Sequence, residues 1–309
     1  MFEKELIEAK TVLLNKKIGV IMGGYSSERE VSLSSGNAVA DALIEANFDV
    51  EKIVVDKHDL KIERMQGCDV LFIALHGEGG EDGAIQGVLE WLDVPYAGTG
   101  VLGSAVSLNK FMTKNLIAKQ IPTPEYSLNE RGSINVPLVV KATTEGSTLG
   151  LEICKTEEEV TKALEKLSHY DELMFEKYVE GRLLTVGIVL EQPLEIIEII
   201  TGDGFYDYKH KYTKGMTNYI CPAEINREIE EQLKQFALLA HNICNCKGFS
   251  RSDFILGENN TPYFLEINTI PGFTATSLLP KAAKSSGVSF LELILVILLS
   301  ALTKNKQKQ

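Results

Sequence analysis

The chain has 309 residues, of which 44% are hydrophobic and 24% charged, and its formal net charge is −12. These values are typical of an ordinary globular protein, and the acidic balance argues against nucleic acid as a partner. Five scattered cysteines favour a reducing compartment, and the first residues lack an apolar signal segment. The most apolar run, Leu291–Leu299, is too short to span a bilayer and contains Glu292. We therefore expect a cytoplasmic protein without membrane insertion.

The first hundred residues are predicted to alternate between helices and strands. Ser27-Glu28-Arg29-Glu30 has the residues of a capping box, at the start of a helix that continues to about Ala46. The other predicted elements here are a leading helix over 1–15 and buried strands at Lys17–Met22, Val50–Val55 and Val70–Leu75. This alternation predicts an open parallel α/β sheet.

The rest of the chain mixes further helices and strands. Ser104–Gln120 is predicted to be one helix, which ends before the boundary Ile121-Pro122-Thr123-Pro124. Gly202–Tyr219 shows no periodicity, and a loop of this length is usually functional, as active-site lids are. The remaining predicted elements are strands at Pro137–Ala142 and Leu173–Tyr178, a helix at Thr156–His169, an antiparallel pair at Leu184–Leu190 and Leu194–Ile200, a helix at Ile229–Cys246, and a buried helix containing Leu291–Leu299.

Two short apolar strands, Asp253–Leu256 and Tyr263–Ile267, are separated by turn residues and predict a β-hairpin. Because side chains alternate along a strand, Glu266 and Asn268 share a face, and the neighbouring strand can bring Asp253 beside them. Two carboxylates and an amide oxygen suit Mg²⁺ that is also held by substrate phosphates. A solvated hairpin face would explain any one of these residues, but the whole string favours metal–phosphate chemistry.

Three further segments carry candidate binding residues. Lys141 ends a predicted strand and precedes Glu145-Gly146-Ser147, whose small residues let backbone N–H groups approach a phosphate, although an ordinary hairpin loop would look similar. Phe175–Val179 could form an edge strand whose backbone and Glu176 side chain contact an adenine ring, or an ordinary strand. His76 follows an apolar strand among glycines, which favours close approach of a small substrate, although a lone histidine is more often structural.

Taken together, these strings resemble the D-alanine–D-alanine ligases of the ATP-grasp superfamily, in one order from about Lys17 to the end of the chain. The matching strings are those beginning at Gly23, Ala74, Pro95, Lys141, Glu176, Phe205, Cys221 and Gly248, and finally Tyr263–Gly272. The resemblance implies an N-terminal parallel α/β domain over 1–107, a central ATP-grasp subdomain over 108–182, and a C-terminal subdomain over 183–309 that carries the metal site and the lid over 202–219. ATP would bind between the last two.

The resemblance also implies a reaction and a role for each residue. ATP would phosphorylate the carboxylate of one D-alanine, and the amine of a second D-alanine would attack the acylphosphate, which supplies a dipeptide for peptidoglycan. We expect a homodimer. The expected ATP contacts are Lys110, Lys141, Glu176, Lys177, Val179 and Lys211, and the expected ligands of two Mg²⁺ ions, which Mn²⁺ could replace, are Asp253, Glu266 and Asn268.

The amino-acid subsites follow from the same resemblance. Glu28 and His76 would bind the first D-alanine, while Ser277 and Leu278 would hold the carboxylate of the second. Arg251 and the Gly272 N–H group would stabilise the tetrahedral oxyanion. Glu28, Ser147 and Tyr212 would form a hydrogen-bonded network that ties the lid over the reactants.

The chain departs from the family pattern at Asn109, Ala142 and Leu183, where aspartate, proline and glutamate are usual. The usual glutamate contacts the ATP ribose, so either Glu180 substitutes for it or ATP affinity is weaker. Two other functions stay open. One is a depsipeptide ligase that joins D-alanine to D-lactate, which Tyr212 disfavours because those ligases generally have histidine there. The other is a nucleotide-binding regulator that has lost turnover.

Overall fold

The computed structural model describes residues 1–146, 149–201 and 217–305, and three β-sheets organise these residues. The first sheet is formed by β1 (Lys17–Gly23), β2 (Asp49–Val55), β3 (Val70–Ile73) and β4 (Tyr96–Ala97), in the order β2-β1-β3-β4. Its neighbouring strands are all parallel, which confirms the predicted open α/β sheet. Helices α1 (Glu3–Leu13), α2 (Arg29–Glu45), α3 (Ile62–Gln66) and α4 (Ala84–Trp91) accompany it.

The strand order of the first sheet reverses between β1 and β3, and we call the space outside the carboxyl ends of these two strands the crevice. The chain leaves β1 toward β2 on one side, while β3 lies on the other side of β1. Open α/β sheets bind ligands at such a reversal, outside the carboxyl ends of the strands. Glu28 follows β1 and His76 follows β3, so the topology brings both residues to this crevice.

The second sheet is antiparallel and has the order β5-β8-β6-β7. Its strands are β5 (Tyr126–Leu128), β6 (Leu138–Ala142), β7 (Leu151–Cys154) and β8 (Leu173–Lys177), and α7 (Glu157–Lys166) packs on it. Thr156 and Glu159 form a capping box at the start of α7. The prediction that Phe175–Val179 is an edge strand is wrong, because β5 pairs with β8 on the side away from β6.

The third sheet contains the predicted hairpin and has the order β12-β11-β9-β13-β14. Its strands are β9 (Gly181–Val189), β10 (Gln192–Pro193), β11 (Ile197–Thr201), β12 (Thr217–Ile220), β13 (Phe249–Gly257) and β14 (Pro262–Asn268), where β10 pairs with β9 alone. Helix α8 (Arg227–Ile243) covers this sheet with the buried residues Ile229, Leu233, Ala237 and Ala240, whose spacing is that of one helix face. The predicted loop Gly202–Tyr219 lies outside the described residues except for 217–219, which belong to β12 and not to a loop.

Two local predictions for helices are wrong. Ser104–Gln120 is not one helix but two, α5 (Val101–Leu108) and α6 (Lys110–Ile117), because Asn109 is extended and its side chain accepts a hydrogen bond from Met112 N at 3.0 Å. Asn109 therefore caps a new helix. The capping box at Ser27–Glu30 is also absent: α2 begins after Glu28 without a side-chain cap.

The two C-terminal helices pack on different sheets, and the second of them returns to the first sheet. Helix α9 (Leu278–Ser285) packs on β9, and α10 (Phe290–Asn305) packs on α1, α2, β3 and β4. Residues 293–298 of α10 are fully buried, as predicted for this apolar run. Within the described ranges no single helix is long and apolar enough to cross a membrane, and α9 with α10 reaches the required length only as a pair bent by 105°. The proposed domain limits at 107/108 and 182/183 stay predictions.

Candidate active site

A cavity of about 370 Å³ lies between the second and third sheets. One wall comes from β6, β7 and β8, and the opposite wall comes from β9, β11, β13 and β14. The predicted site residues that line it are Lys110, Lys141, Glu176, Lys177, Val179, Asp253 and Glu266. The structure therefore brings together most of the predicted nucleotide-binding residues and two of the predicted metal ligands.

The innermost charged group of this cavity is Glu176, which is 2% exposed and contacts two lysines. Lys141 Nζ lies 3.1 Å from Oε1, and Lys114 Nζ lies 2.9 Å from Oε2. Burial alone would raise the pKa of Glu176, but the two ammonium groups outweigh burial and hold it below its usual value. Lys114 was not identified from the sequence. It lies one helical turn after Lys110 on α6, and that spacing was the available signal.

Asp253 and Glu266 face each other as cross-strand partners on β13 and β14. Arg251 binds Asp253 through two hydrogen bonds, from Nε to Oδ1 at 2.9 Å and from Nη2 to Oδ2 at 2.8 Å. Thr185 Oγ1 on β9 donates a third, to Oδ1 at 2.6 Å. Thr185 was also not anticipated, because its contact depends on the register of β9 against β13. These bonds fix the Asp253 carboxylate at the cavity wall.

Asn268 lies opposite Arg251 on β14 and lines a small second cavity together with Glu266. Its Nδ2 atom is buried without a hydrogen-bond partner among the described residues. Among all the residues that the structure describes, no group of three or more His, Cys, Asp and Glu side chains could hold a metal ion alone. A cation here would instead take oxygen from Asp253, Glu266, Asn268 and a bound phosphate. This hard-oxygen, partly open donor set fits Mg²⁺.

Lys110 connects the two cavities. Its Nζ atom lies 3.3 Å from Glu266 Oε2 and donates a short hydrogen bond to the backbone oxygen of Glu145. Burial raises the pKa of the Glu145 side chain, although the nearby Lys110 ammonium opposes this. The second cavity is lined by Lys110, Glu145, Gly146, Glu266 and Asn268. The loop after β6, the lysine of α6 and the acidic hairpin therefore meet at one point.

Glu28 and His76 meet at the crevice of the first sheet, as the resemblance implied. Both are buried, with 7% and 5% of their surface exposed. His76 Nδ1 lies 3.5 Å from Glu81 Oε1, and His76 Nε2 lies 3.2 Å from Ser35 Oγ. Ser35 also accepts a hydrogen bond from Phe273 N at 3.0 Å. Glu81 belongs to the matching string that begins at Ala74 but was given no role, and Ser35 lies just after the string that begins at Gly23 and was not singled out.

The hydrogen bond from Phe273 N to Ser35 Oγ holds the segment from Gly272 to Leu278 beside this crevice. Phe273 packs edge-on against Phe72 of β3, with ring centroids 5.0 Å apart. Thr274 N donates to Ser277 Oγ at 3.1 Å, and Ser277 precedes the first turn of α9 without capping it by its side chain. The first N–H groups of a helix favour an anion. The structure thus places Ser277 and Leu278 where they could hold a carboxylate.

Ser147, Lys211 and Tyr212 lie outside the described residues, so their predicted roles stay predictions. Leu183 lines the large cavity and pairs with Ile199 and Ile255, which line it too. Glu180, the predicted substitute, is not among the lining residues. Glu198 of β11 is a carboxylate on the same wall of the cavity as Leu183. Arg182 binds it through two hydrogen bonds of 2.7 and 2.6 Å.

Ala142 makes a backbone hydrogen bond that proline could not make. Its N–H group donates a hydrogen bond to Gly150 O at 2.8 Å, which closes the loop between β6 and β7. Proline has no N–H group, so the residue usual in the family would lose this bond. Alanine at this position therefore allows a hydrogen bond that joins the two ends of the loop.

Comparison with known proteins identifies the family. The family described as D-ala D-ala ligase C-terminus matches residues 103–299, and D-ala D-ala ligase N-terminus matches residues 58–99. A D-alanine–D-alanine ligase from Carboxydothermus hydrogenoformans is 41% identical over 312 residues, which cover 94% of this chain and 100% of that protein. The chain belongs to the D-alanine–D-alanine ligase family. A further relative with the same name, from Desulforamulus reducens, is 43% identical over 301 residues, which cover 90% of this chain and 96% of that protein.

Solved structures agree with this assignment. D-alanine–D-alanine ligase from Bacillus anthracis aligns with a TM-score of 0.84 and 32% identity, covering 95% of this chain and 99% of that chain. A structure of the enzyme from the same organism complexed with ATP aligns with a TM-score of 0.81 and 30% identity, covering 95% and 100%. The predicted ATP-grasp fold is confirmed. A D-Ala:D-Ser ligase from Enterococcus faecalis also aligns, with a TM-score of 0.79 and 27% identity over 92% of this chain and 99% of that chain. The fold alone therefore does not select the acceptor.

Proposed function

We propose that this protein is an ATP-dependent D-alanine–D-alanine ligase that forms ADP and supplies the dipeptide for peptidoglycan precursors. The observation that carries the proposal is the cross-strand pair Asp253 and Glu266 on the wall of a cavity that also contains Lys110 and Lys141. Facing carboxylates with lysines opposite them suit a nucleotide whose phosphates are bound together with a divalent cation. Membership of the ligase family supports the same reading.

ATP would occupy the large cavity. The adenine would lie near Glu176, Lys177 and Val179, and the phosphates would extend toward Lys110, Lys141 and the loop that follows β6. Lysines act as point charges on phosphates, and the backbone N–H groups of a glycine-containing loop add directed hydrogen bonds. Lys211 is proposed as a further phosphate contact on the resemblance alone.

The charges of the side chains that line the cavity favour a divalent cation beside the nucleotide. The described residues that line the cavity include four basic and five acidic side chains: Lys110, Lys141, Lys177 and Arg182 against Glu145, Glu176, Glu198, Asp253 and Glu266. A polyanionic nucleotide would gain no net attraction from this set. We propose that Asp253, Glu266 and Asn268 hold two Mg²⁺ ions, for which Mn²⁺ can substitute. When bound, these ions would neutralise charge on the phosphates.

The two amino-acid subsites would lie at the crevice of the first sheet. Glu28 would accept hydrogen bonds from the ammonium group of the first D-alanine, with His76 held beside it by Ser35 and Glu81. The N-terminus of α9 at Ser277 and Leu278 would bind the carboxylate of the second D-alanine.

The chemistry would proceed between these subsites and the phosphates. An oxygen of the first carboxylate attacks the γ-phosphorus and ADP leaves; the second amine then attacks the carbonyl carbon and phosphate leaves. Arg251 and the Gly272 N–H group would stabilise the oxyanion that forms at that carbon. Ser147 and Tyr212 would complete a network with Glu28 over the reactants. We further propose a cytoplasmic homodimer.

The test is ADP release by the purified protein with MgATP and each of D-alanine, L-alanine, D-serine and D-lactate. We expect release with D-alanine alone and a product of dipeptide mass. Release that requires D-alanine together with D-lactate would favour the depsipeptide ligase. ATP binding without any D-alanine-dependent ADP release would favour the nucleotide-binding regulator instead.

A further inference from the structure

The most completely buried charged group beside the nucleotide cavity is Lys114, which is 0% exposed and is not among the residues that line the cavity. Its ammonium group contacts two elements from different sheets. Nζ donates to Phe264 O of β14 at 3.0 Å and lies 2.9 Å from Glu176 Oε2 of β8. A group in this position cannot touch a ligand in the cavity. Lys114 can therefore act on a ligand only through its charge and through the side chains that it contacts, of which Glu176 lines the cavity.

Glu176 is shared between Lys114 and Lys141, and only Lys141 of the two lysines lines the cavity. With Lys141 as its single partner, Glu176 would cancel the lysine's charge as seen from the ligand. With both partners, the three side chains carry a net positive charge in a buried place where screening is weak. The lysine that faces the ligand then keeps its attraction for phosphate.

The protonation states agree with this arrangement. Burial lowers the pKa of Lys114 to about 8, against the raising effect of Glu176, so Lys114 is still mostly cationic at neutral pH. Glu176 has a lowered pKa and is anionic.

We infer that Lys114 is a positioning and charge-balancing residue. It neutralises Glu176 from the side away from the cavity, so that Lys141 acts on the phosphates of the nucleotide as a full positive charge. This inference rests on the proposed nucleotide site. According to it, Lys114 strengthens binding of the phosphates and not of the adenine. Because this contribution to affinity is electrostatic, it should grow with the negative charge of the ligand.

The experiment compares the affinity for ATP with the affinity for adenosine, both at a fixed Mg²⁺ concentration. The two ligands share the base and sugar, so their affinity ratio isolates the phosphate contribution. Two single variants change the net charge of the Lys114–Glu176–Lys141 set: Lys114→Met makes it neutral, and Glu176→Gln raises it by one unit. The double variant has the wild-type net charge. Lys16 is half-buried, pairs with Asp69 next to the first sheet and lies far from the cavity lining, so it provides the matched control Lys16→Met.

We expect the ATP-to-adenosine affinity ratio to fall by about tenfold in Lys114→Met, a change of about 1.4 kcal/mol. The ratio should return to near the wild-type value in the double variant and exceed it in Glu176→Gln, even where adenine binding is weakened for both ligands. Lys16→Met should leave the ratio unchanged. A merely structural role for Lys114 would weaken ATP and adenosine in parallel.

Removing a buried lysine can prevent folding, because its partner carboxylate loses a counter-charge. In that case the other two variants still test the inference. It requires an ATP-to-adenosine affinity ratio near the wild-type value in the double variant and above that value in Glu176→Gln. Equal ratios in all folded variants would overturn the inference while leaving ATP binding intact. Absence of ATP binding in the wild-type protein would instead overturn the proposed function.

Discussion

Glu28 Oε2 lies 2.8 Å from the position that a Cβ atom on Gly146 would occupy. Glu28 follows the first strand of the N-terminal sheet, and Gly146 lies in the loop that follows β6 of the second sheet. The proposed amino-acid subsite and the proposed phosphate loop are therefore immediate neighbours. The backbone of Gly146 is not in the positive-φ region, so a larger residue here would be opposed by this close approach and not by backbone strain.

We expect Gly146→Ala to raise the KM for D-alanine, because the added methyl group displaces the Glu28 carboxylate that would bind the ammonium group. Thermal stability should change little, since the atom that must shift is the end of a flexible side chain. The measurement is initial rate against D-alanine concentration at saturating ATP. Gly67→Ala is a suitable control, because its new Cβ would meet neighbouring atoms at ordinary distances of 3.5 Å. An unchanged KM in Gly146→Ala would argue against Glu28 as the ammonium-binding residue.

Glu266→Gln should lower kcat by about a hundredfold or more, which corresponds to roughly 3 kcal/mol of lost transition-state stabilisation. The variant keeps the size of the side chain and removes one anionic oxygen from the proposed cation site. Asp253→Asn should act in the same direction, with an additional loss of stability because Arg251 then lacks its carboxylate. The exposed turn residue Glu258 offers the control Glu258→Gln. Near wild-type turnover of Glu266→Gln at ordinary Mg²⁺ would remove Glu266 from the metal site.

Leu183→Glu should lower the KM for ATP, because Leu183 lines the cavity and the glutamate implied by the resemblance at this position would contact the ribose. The gain should not exceed one charge-assisted hydrogen bond, roughly 1.5–3 kcal/mol. Leu183→Gln serves as a control that adds a polar group without charge. If ATP binds no better to Leu183→Glu, leucine at this position does not weaken ATP binding. The apolar wall that Leu183 forms with Ile199 and Ile255 would then account for the affinity without a carboxylate.

Asn109→Ala should reduce the free energy of unfolding by about 1 kcal/mol, because the side chain of Asn109 caps the helix that carries Lys110 and Lys114. Asn109→Asp should preserve stability, since aspartate is an equally good cap. Urea unfolding of the three proteins measures both effects. A loss of stability in Asn109→Asp would show that asparagine at this family position has a role besides capping.

The sequence predicted the elements whose pattern is local. Alternation of side chains predicted that Asp253, Glu266 and Asn268 lie together, and the strand–helix alternation predicted the parallel first sheet. The contacts of Lys114 depend on three elements meeting in space, and that of Thr185 depends on the register of two strands distant in sequence, so no local pattern reveals them. The break at Asn109 was missed because helical periodicity continues across it, while the cap that interrupts it is a single side chain.

The most direct test of the proposed reaction follows an oxygen atom from substrate to phosphate. D-alanine labelled with oxygen-18 in its carboxylate is incubated with the protein and MgATP, and the inorganic phosphate is analysed by mass spectrometry. Attack of the carboxylate on the γ-phosphorus, followed by attack of the second amine on the carbonyl carbon, must transfer one labelled oxygen into each phosphate released. We expect this transfer together with an equal amount of dipeptide. Unlabelled phosphate, or ADP formed without dipeptide, would contradict the acylphosphate route.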